Sequence, residues 1–405
     1  MTSVSQGRSD VPEIDLTDSE VLRDPFAAYG AIRERSPLAR LVIPGLGPVW
    51  VVMRYDDARA MLGDSRLEIT SGSFTPPPGI PEDCLPYLRT MSDASPPEHL
   101  RLRRLVAPAF SPRRAADFRP RIEPIVERLL DDLTEDAKDG PIDLLERFAR
   151  PLPMEVICEL VGIPLADRPR WREYGATVAA GMGEGFSVAL PGIVAGAKAA
   201  IARRHDTPGD DVVSDLVRVR AEDGDRLSDR EMVSLVWHLV LAGQTPTNLI
   251  ANAVGTLLTH PEQLALLRAD PTLMPRAVEE LIRWCGPVLL SIPRYAREDV
   301  SIQGTPIRTG EPVTAAIASA NRDPRTFDDP DRLDLTRAGG PPGHLGFAHG
   351  PHFCLGAPLA RIQTEVAIAA LLRRYPDLTL ALAPGELRHV PDPGTWRLPS
   401  LPVTL

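Results

Sequence analysis

The sequence predicts a mainly α-helical protein with a smaller β region, and three observations carry that reading. Amphipathic helical patterns dominate from the first β-like runs to about Trp284. Alternating apolar runs are short and confined to the front end and to the stretch after Pro287. No internal repeat of roughly 20–50 residues is visible, which sets solenoids and propellers aside. With 405 residues, 43% hydrophobic and 25% charged, and no long linker, the chain reads as a polar segment 1–22 followed by one domain, 23–405.

Taken in order, "DPFAAYGAIRER" reads as a short helix, and "LARLVI" and "PVWVVM", joined by "PGLG", as a hairpin. The insert "SGSFTPPPGIPEDCLPY" holds too much proline and glycine for regular structure and suits ligand binding. Ser228-Asp229-Arg230-Glu231 fits a capping box. The apolar pattern behind it runs to His260-Pro261, about 30 residues or ~45 Å of helix. "LAGQTPTNL" interrupts that helix: Pro246 has no N–H for the Ala242 carbonyl and crowds it, costing about 3 kcal/mol unless the helix kinks. The kink is either a plain bend or a polar notch beside the Thr245 hydroxyl that holds water. After Pro287, "VSIQGTPI" and "EPVTAAI" read as strands and Asn321 to Gly350 as loops, before a last helix and a strand-like tail.

A formal charge of −10 opposes binding to nucleic acid or to an anionic membrane. There is no G-x-G-x-x-G or P-loop sequence, so no built-in dinucleotide or ATP domain is expected. The start carries no apolar run suited to a signal peptide, and no stretch reaches the ~20 apolar residues of a membrane span. A cytoplasmic monomer is the expectation. Cys84, Cys158, Cys285 and Cys354 form no CxxC pair, which suits reduced thiols. Cys158 and Cys285 follow apolar helical stripes and read as core; Cys84 carries no reading.

Cys354 differs. It follows a loop made pliable by Gly346 and Gly350 and stiffened by Pro351, and it precedes a helical pattern. Helix N–H groups and the helix dipole stabilise a thiolate there, good placement for a metal ligand, with a buried inert cysteine as the alternative. His349 and His352 stand near, but no fourth ligand completes a zinc spacing, and a cysteine and histidine one position apart seldom orient each other as a dyad.

"FAHGPHFCLG", Phe347 to Gly356, resembles the haem-binding loop of the cytochrome P450 family, F-G-x-G-x-H-x-C-x-G, with Ala348 where glycine is usual. Further likenesses follow in the family's order across nearly the whole chain. Glu280-Leu281-Ile282-Arg283 resembles its E-x-x-R, and "PDRL" resembles the segment supplying a second arginine, Arg332. "SPPEHLRLRR" resembles D-P-P-E-H-x-R-L-R-R, with Ser95 replacing the aspartate. The resemblance implies a triangular, mainly helical fold with a long central helix and haem b at its centre. It makes Cys354 the axial thiolate ligand, a ligation that belongs to the family and is not read from spacing. It gives the haem propionates to His99, Arg103, Arg294 and His352, and makes Glu280, Arg283 and Arg332 a buried brace for the loop of Phe347 and Gly356. Without it, each of these arginines reads as solvated surface.

The interrupted helix resembles the family's oxygen-face helix. Aligned on Asn248, Thr245 takes the place of the oxygen-activating threonine and Gln244 that of the usual acid, although a glutamine amide cannot donate a proton as an acid would. A water relay through Thr245 is therefore expected. The resemblance implies a dioxygen-dependent monooxygenase that hydroxylates or epoxidises a lipophilic scaffold such as a macrolide or other polyketide, as actinobacterial members do. Electrons would come from a ferredoxin or flavodoxin with a separate reductase, steered by Arg101, Arg104 and Arg361 unless these are plain surface. Phe74, Ile80 and Leu85 of the insert, "GEGFSVALPG", Leu241, Ala242, Val288, Leu289, Leu290 and Ser291 are the expected substrate-facing positions, with core packing the competing reading of each. Oxidative coupling, desaturation, peroxide-driven chemistry, or a catalytically silent haem-binding partner protein are the alternatives.

Overall fold

The structure is a computed structural model that describes residues 11–42, 47–74, 79–179, 184–219, 224–337, 343–383 and 385–405. Most of the "PGLG" turn, Thr75–Pro78 of the insert, Gly183 and the first ten residues lie outside that set. Two compact units share the chain. The first holds Met1–Ser73, Thr259–Cys354 and Arg388–Pro399, and the second Phe74–Leu258, Leu355–Leu387 and Ser400–Leu405.

The first unit is built on a six-stranded sheet, in the order Glu13–Asp15, Leu38–Val42, Val49–Val52, Pro312–Ala315, Arg294–Ala296, Leu67–Glu68. The expected hairpin pairs Leu38 with Val52 and Leu41 with Val49. All four residues of Val49–Val52 are buried, so core lies on both faces of that strand. Trp50 and Val52 join a cluster with Tyr55, Met61 and Phe327, while Val49 and Val51 join another with Ile14, Tyr29 and Ile32. The segment expected as a polar tail enters the sheet at Glu13, parallel to Leu38–Val42, because Ile14 and Leu16 are apolar enough to be buried there. Val300–Ile302 and Thr305–Ile307 form a separate hairpin, as the sequence suggested.

Among the charges this unit buries is an ion pair. Glu280 and Arg283, one helical turn apart on Met274–Cys285, are 4% and 3% exposed and paired through both oxygens at 2.7 and 2.8 Å. The expected third member does not join them. The Arg332 side chain is 65% exposed and pairs with Asp334 and Asp329, offering Arg283 only its backbone carbonyl. Arg337 takes the place instead, with Nε at 3.1 and 3.2 Å from the two Glu280 oxygens.

The second unit is helical apart from a three-stranded sheet of Thr379–Leu380, Pro402–Thr404 and Ile142–Asp143. Pro112–Asp136 packs along Ala357–Arg374, and Glu155 sits buried within 3.5–3.7 Å of Arg128, Arg168 and Arg172. Counter to the sequence reading, one helix is long and apolar enough to cross a membrane: Gly185–Asp206, mean hydropathy 1.5. Half of its apolar window is buried against neighbouring helices of the unit. The insert also holds more order than its prolines suggest, with single turns at Glu82–Cys84 and Leu85–Leu88 that bury Cys84. Cys158 and Cys285 are core residues as expected.

Glu280→Ala strands two buried cations. It should lower stability by about 3–5 kcal/mol, read as a fall in urea midpoint, whereas Arg332→Ala should cost no more than about 1 kcal/mol.

Candidate functional site

In the first unit, the loop from Phe347 to Cys354 is closed by backbone hydrogen bonds from Cys354 N to Phe347 O (2.9 Å) and from Phe353 N to Gly350 O (3.0 Å). Three neighbours hold it. Asn321 Oδ1 accepts from Leu345 N at 2.7 Å, and Leu345 O accepts from Ala348 N at 2.8 Å. Gly350 lies so close to the Tyr55–Gly63 helix that a Cβ would stand 2.8 Å from Leu62 O, and a Cβ on Gly346 would stand 2.6 Å from Ile282 Cγ2. Tyr55 O–H donates to Gly343 O at 2.5 Å. Gly350 has φ +74°, and Ala348, at the family's glycine position, also lies in the left-handed region at φ +61°. A Cβ there costs about 1–2 kcal/mol.

Cys354 is exposed whereas the other three cysteines are buried, so the inert-core alternative fails for it alone. Phe347 and Phe353 meet edge to face beside it, ring centres 6.4 Å apart. The Ala357–Arg374 helix, with Gly356 at its N-cap, starts three residues later. His352 is half-buried in the turn Gly350–His352. Arg294 is the most informative cation: 2% exposed, with an Nε that makes no hydrogen bond among the described residues. Burial pulls its pKa down to about 10, against the pull of Asp64. A guanidinium in that state fits an anionic group brought in by a ligand. The exposed thiol and a buried guanidinium with an unsatisfied Nε fit haem, the thiol as a ligand for its iron and the guanidinium as a partner for a propionate. Among the described residues no group of three or more His, Cys, Asp and Glu side chains could hold a metal ion by itself.

In the second unit, His99 and Arg103 stand one turn apart on Pro96–Val106; His99 is buried and donates from Nδ1 to Met91 O at 2.9 Å. Arg101 is already neutralised, bonded to Asp225 at 2.8 Å and Glu231 at 2.6 Å, which removes it from the expected partner-steering set. The capping box at Ser228 and Glu231 is present. The long helix is two helices, Asp229–Ala242 and Thr245–Thr259, so Pro246 sits in a first turn where no N–H is needed of it. Gln244 and Thr245 do not act as a pair: Gln244 is buried, its amide 3.4 Å from Val240 O and facing Gly175, whereas Thr245 is exposed.

The family model "Cytochrome P450" matches residues 197–379. The chain is 41% identical over 396 residues to "Cytochrome P450 monooxygenase PikC" of Streptomyces venezuelae, covering 97% of this chain and 94% of that protein. It is 43% identical over 367 residues to "Mycinamicin IV hydroxylase/epoxidase" of Micromonospora griseorubida, covering 89% and 90%. The chain belongs to the cytochrome P450 family. Among solved structures, the cytochrome P450 PksS of the Bacillus subtilis 168 bacillaene polyketide synthase superposes with a TM-score of 0.86 at 35% identity, over 96% of this chain and 99% of that one.

This cytochrome P450 is thus a monooxygenase with a haem cofactor, and its expected pocket residues divide in two. Phe74, Leu85 and Ala242 are exposed, and Ile80, Leu241, Val288 and Leu290 are half-buried, so all seven remain candidates. Leu289 is not one, because it is 1% exposed and packs with Ile14 and Tyr29. Ser291 is not one either: its hydroxyl bonds Thr314 Oγ1 at 3.1 Å and Ala315 N at 2.9 Å, stitching a strand. Val188, inside "GEGFSVALPG", and Ile292, which ends "VLLSI", are large exposed apolar side chains and stay among the candidates.

Gly350→Ala should prevent accumulation of folded protein or cost at least about 2 kcal/mol, since it adds both a clash and a left-handed side chain. Ala348→Gly should change the thermal midpoint by the equivalent of no more than about 1 kcal/mol, because released strain and added chain entropy oppose each other.

Proposed function

We propose that this P450 binds haem b and hydroxylates or epoxidises a lipophilic secondary-metabolite scaffold of the macrolide or polyketide kind. One observation carries the reading: Cys354 is the exposed cysteine, held on a stapled loop, in a chain about 40% identical to proteins named as a mycinamicin IV hydroxylase/epoxidase and a 6-deoxyerythronolide B hydroxylase. The pocket candidates are mainly apolar, which supports a lipophilic substrate. Bound haem supplies oxygen activation, with thiolate donation favouring O–O cleavage.

The chain's own residues do the rest. Cys354 would hold the iron, and Arg294, His352, His99 and Arg103 would hold the propionates through charge-assisted bonds. Thr245 hydrogen-bonds the water that brings protons in. Two electrons per turnover come from a ferredoxin or flavodoxin and its reductase, for which Arg104, 3.7 Å from Asp225 with its side chain 56% exposed, is a more accessible docking charge than Arg101. We also read 23–405 as one catalytic domain in the cytoplasm, since the chain passes back and forth between the two units and its cysteines form no disulfides.

The reduced protein exposed to carbon monoxide should show the strongly red-shifted Soret band of thiolate-ligated haem, and Cys354→Ser should keep haem but lose that band. A parent protein without it would sink the reading. With a macrolide that shifts the haem spin state as substrate, Thr245→Ala should lower product formed per electron pair by roughly tenfold, with binding unchanged.

A further inference from the structure

His344 lies at the root of the cysteine loop in the first unit, with its side chain only 5% exposed. Its Nδ1 accepts from Gly346 N at 3.1 Å, a side-chain tie to the backbone two residues on. A ring nitrogen that accepts an N–H carries no proton, so the neutral ring holds its proton on Nε2. Nε2 stands 3.2 Å from Glu279 Oε2, off the line of a hydrogen bond yet near enough for the carboxylate to favour a proton there. The same ring meets Phe347, centres 5.7 Å apart and planes inclined by 50°.

The peptides around His344 are each held by a different partner. Tyr55 O–H donates to Gly343 O, Asn321 Oδ1 accepts from Leu345 N, and the imidazole accepts from Gly346 N. A Cβ on Gly346 would stand 2.6 Å from Ile282 Cγ2 and 3.1 Å from His344 Nδ1, so these two side chains close over the peptide and leave little room for a water to replace the ring. One residue on, Phe347 O accepts from Cys354 N at 2.9 Å. Contacts therefore run without a break from carboxylate to imidazole, to the Gly346–Phe347 backbone and to the cysteine N–H. A buried N–H left without an acceptor costs more than its bond contributes, so without Nδ1 the Gly346 peptide turns and takes the Phe347 carbonyl with it.

Resting on the reading above, we propose that His344 is a positioning residue for the thiolate: its Nδ1 fixes the Gly346 peptide, and that peptide, through the Phe347 carbonyl, sets where Cys354 is presented. The ring touches neither substrate nor reacting atoms, and no proton or electron passes through it. Two substitutions separate the acceptor from the packing. Asparagine places Oδ1 as many bonds from its Cα as Nδ1 is in histidine, whereas phenylalanine keeps a ring for Phe347 and offers no acceptor.

In the reduced holoprotein under carbon monoxide, at fixed pH and temperature, the decay of the thiolate band into the band of haem without thiolate is followed with time. His344→Phe should speed that decay by roughly tenfold, the scale of one buried N–H left unsatisfied. His344→Asn should stay within about twofold of the parent, since asparagine makes the same bond to the backbone two residues on. Ring-nitrogen NMR of the same diamagnetic state, with His344→Asn as the assignment, should show one ring with Nδ1 bare and Nε2 protonated. Equal decay in His344→Phe and the parent overturns the positioning role and leaves the monooxygenase reading standing. So does a decay in His344→Asn as fast as in His344→Phe, which gives the role to ring packing, and so does a proton on Nδ1. Where His344→Phe fails to hold haem, His344→Asn decides: a parent-like lifetime supports the role and a tenfold shorter one overturns it. A parent without the thiolate band overturns the haem reading and the role together.

Discussion

The position of the cysteine loop depends on a single buried carboxylate. Glu280 accepts from both Arg283 and Arg337, and the surplus positive charge is spread over carbonyls: Asn321 O at 2.9 Å and Pro330 O at 2.7 Å from Arg283, Asp328 O at 2.6 Å from Arg337. Such a cluster adds little net stability over an apolar core of the same volume. What it adds is direction. The guanidinium forks are planar, so fixing Arg283 on Glu280 fixes the Asn321 carbonyl, and Asn321 in turn presents its side-chain oxygen to Leu345 N at the root of the loop. Apolar contacts alone would hold the same segments together and let them slip.

A loop fixed at its root can carry strain at its tip. Ala348 occupies a left-handed conformation that favours glycine, and Gly350 cannot be replaced without meeting the Leu62 carbonyl. Hydrogen bonds from Ala348 to Leu345 and from Cys354 to Phe347 close the loop on either side of that strain, leaving few ways for it to relax. The thiol is thereby delivered at a set point on the loop. An isolated Ala for Gly exchange is tolerable in such a setting because the neighbours, not the residue, specify the backbone.

Much of this was legible in the chain. The hairpin and the capping box follow from local patterns that tertiary packing did not overrule, whereas the buried acid–arginine pair and the place of Cys354 follow from the family resemblance, because the acid–arginine spacing alone reads as surface. What was not legible follows from contacts between residues distant in sequence or from phase. Arg332 and Arg337 lie in one short irregular stretch, and nothing local says which reaches Glu280; Asp329 and Asp334 draw Arg332 outward. Leu289 and Ser291 look like pocket residues until strand alternation and the bonds to Thr314 and Ala315 assign them to the sheet. Ile14 and Leu16 look like a tail until a parallel partner covers them.

The helix interruption shows how a correct observation can yield a wrong pairing. Pro246 announces a break, and counting back four residues places it at the Ala242 carbonyl. The position is set by Gly243 as well: a Cβ there would stand 2.3 Å from Ile157 Cδ1 and 2.5 Å from Leu239 O, so the chain closes on the Pro151–Val161 helix and turns through Gly243 and Gln244 before restarting. Residues counted along one continuous helix keep their faces, whereas residues on either side of a turn do not. Gln244 is drawn inward against Gly175 and Val240, and Thr245 is left exposed. Alignment by motif puts an amide in an acid's seat; the geometry shows that the seat itself has turned away, so a missing acid here is not repaired by a substitution at that position. Any group that supplies protons to Thr245 must therefore reach its exposed side, a different side from the one on which Gln244 is buried.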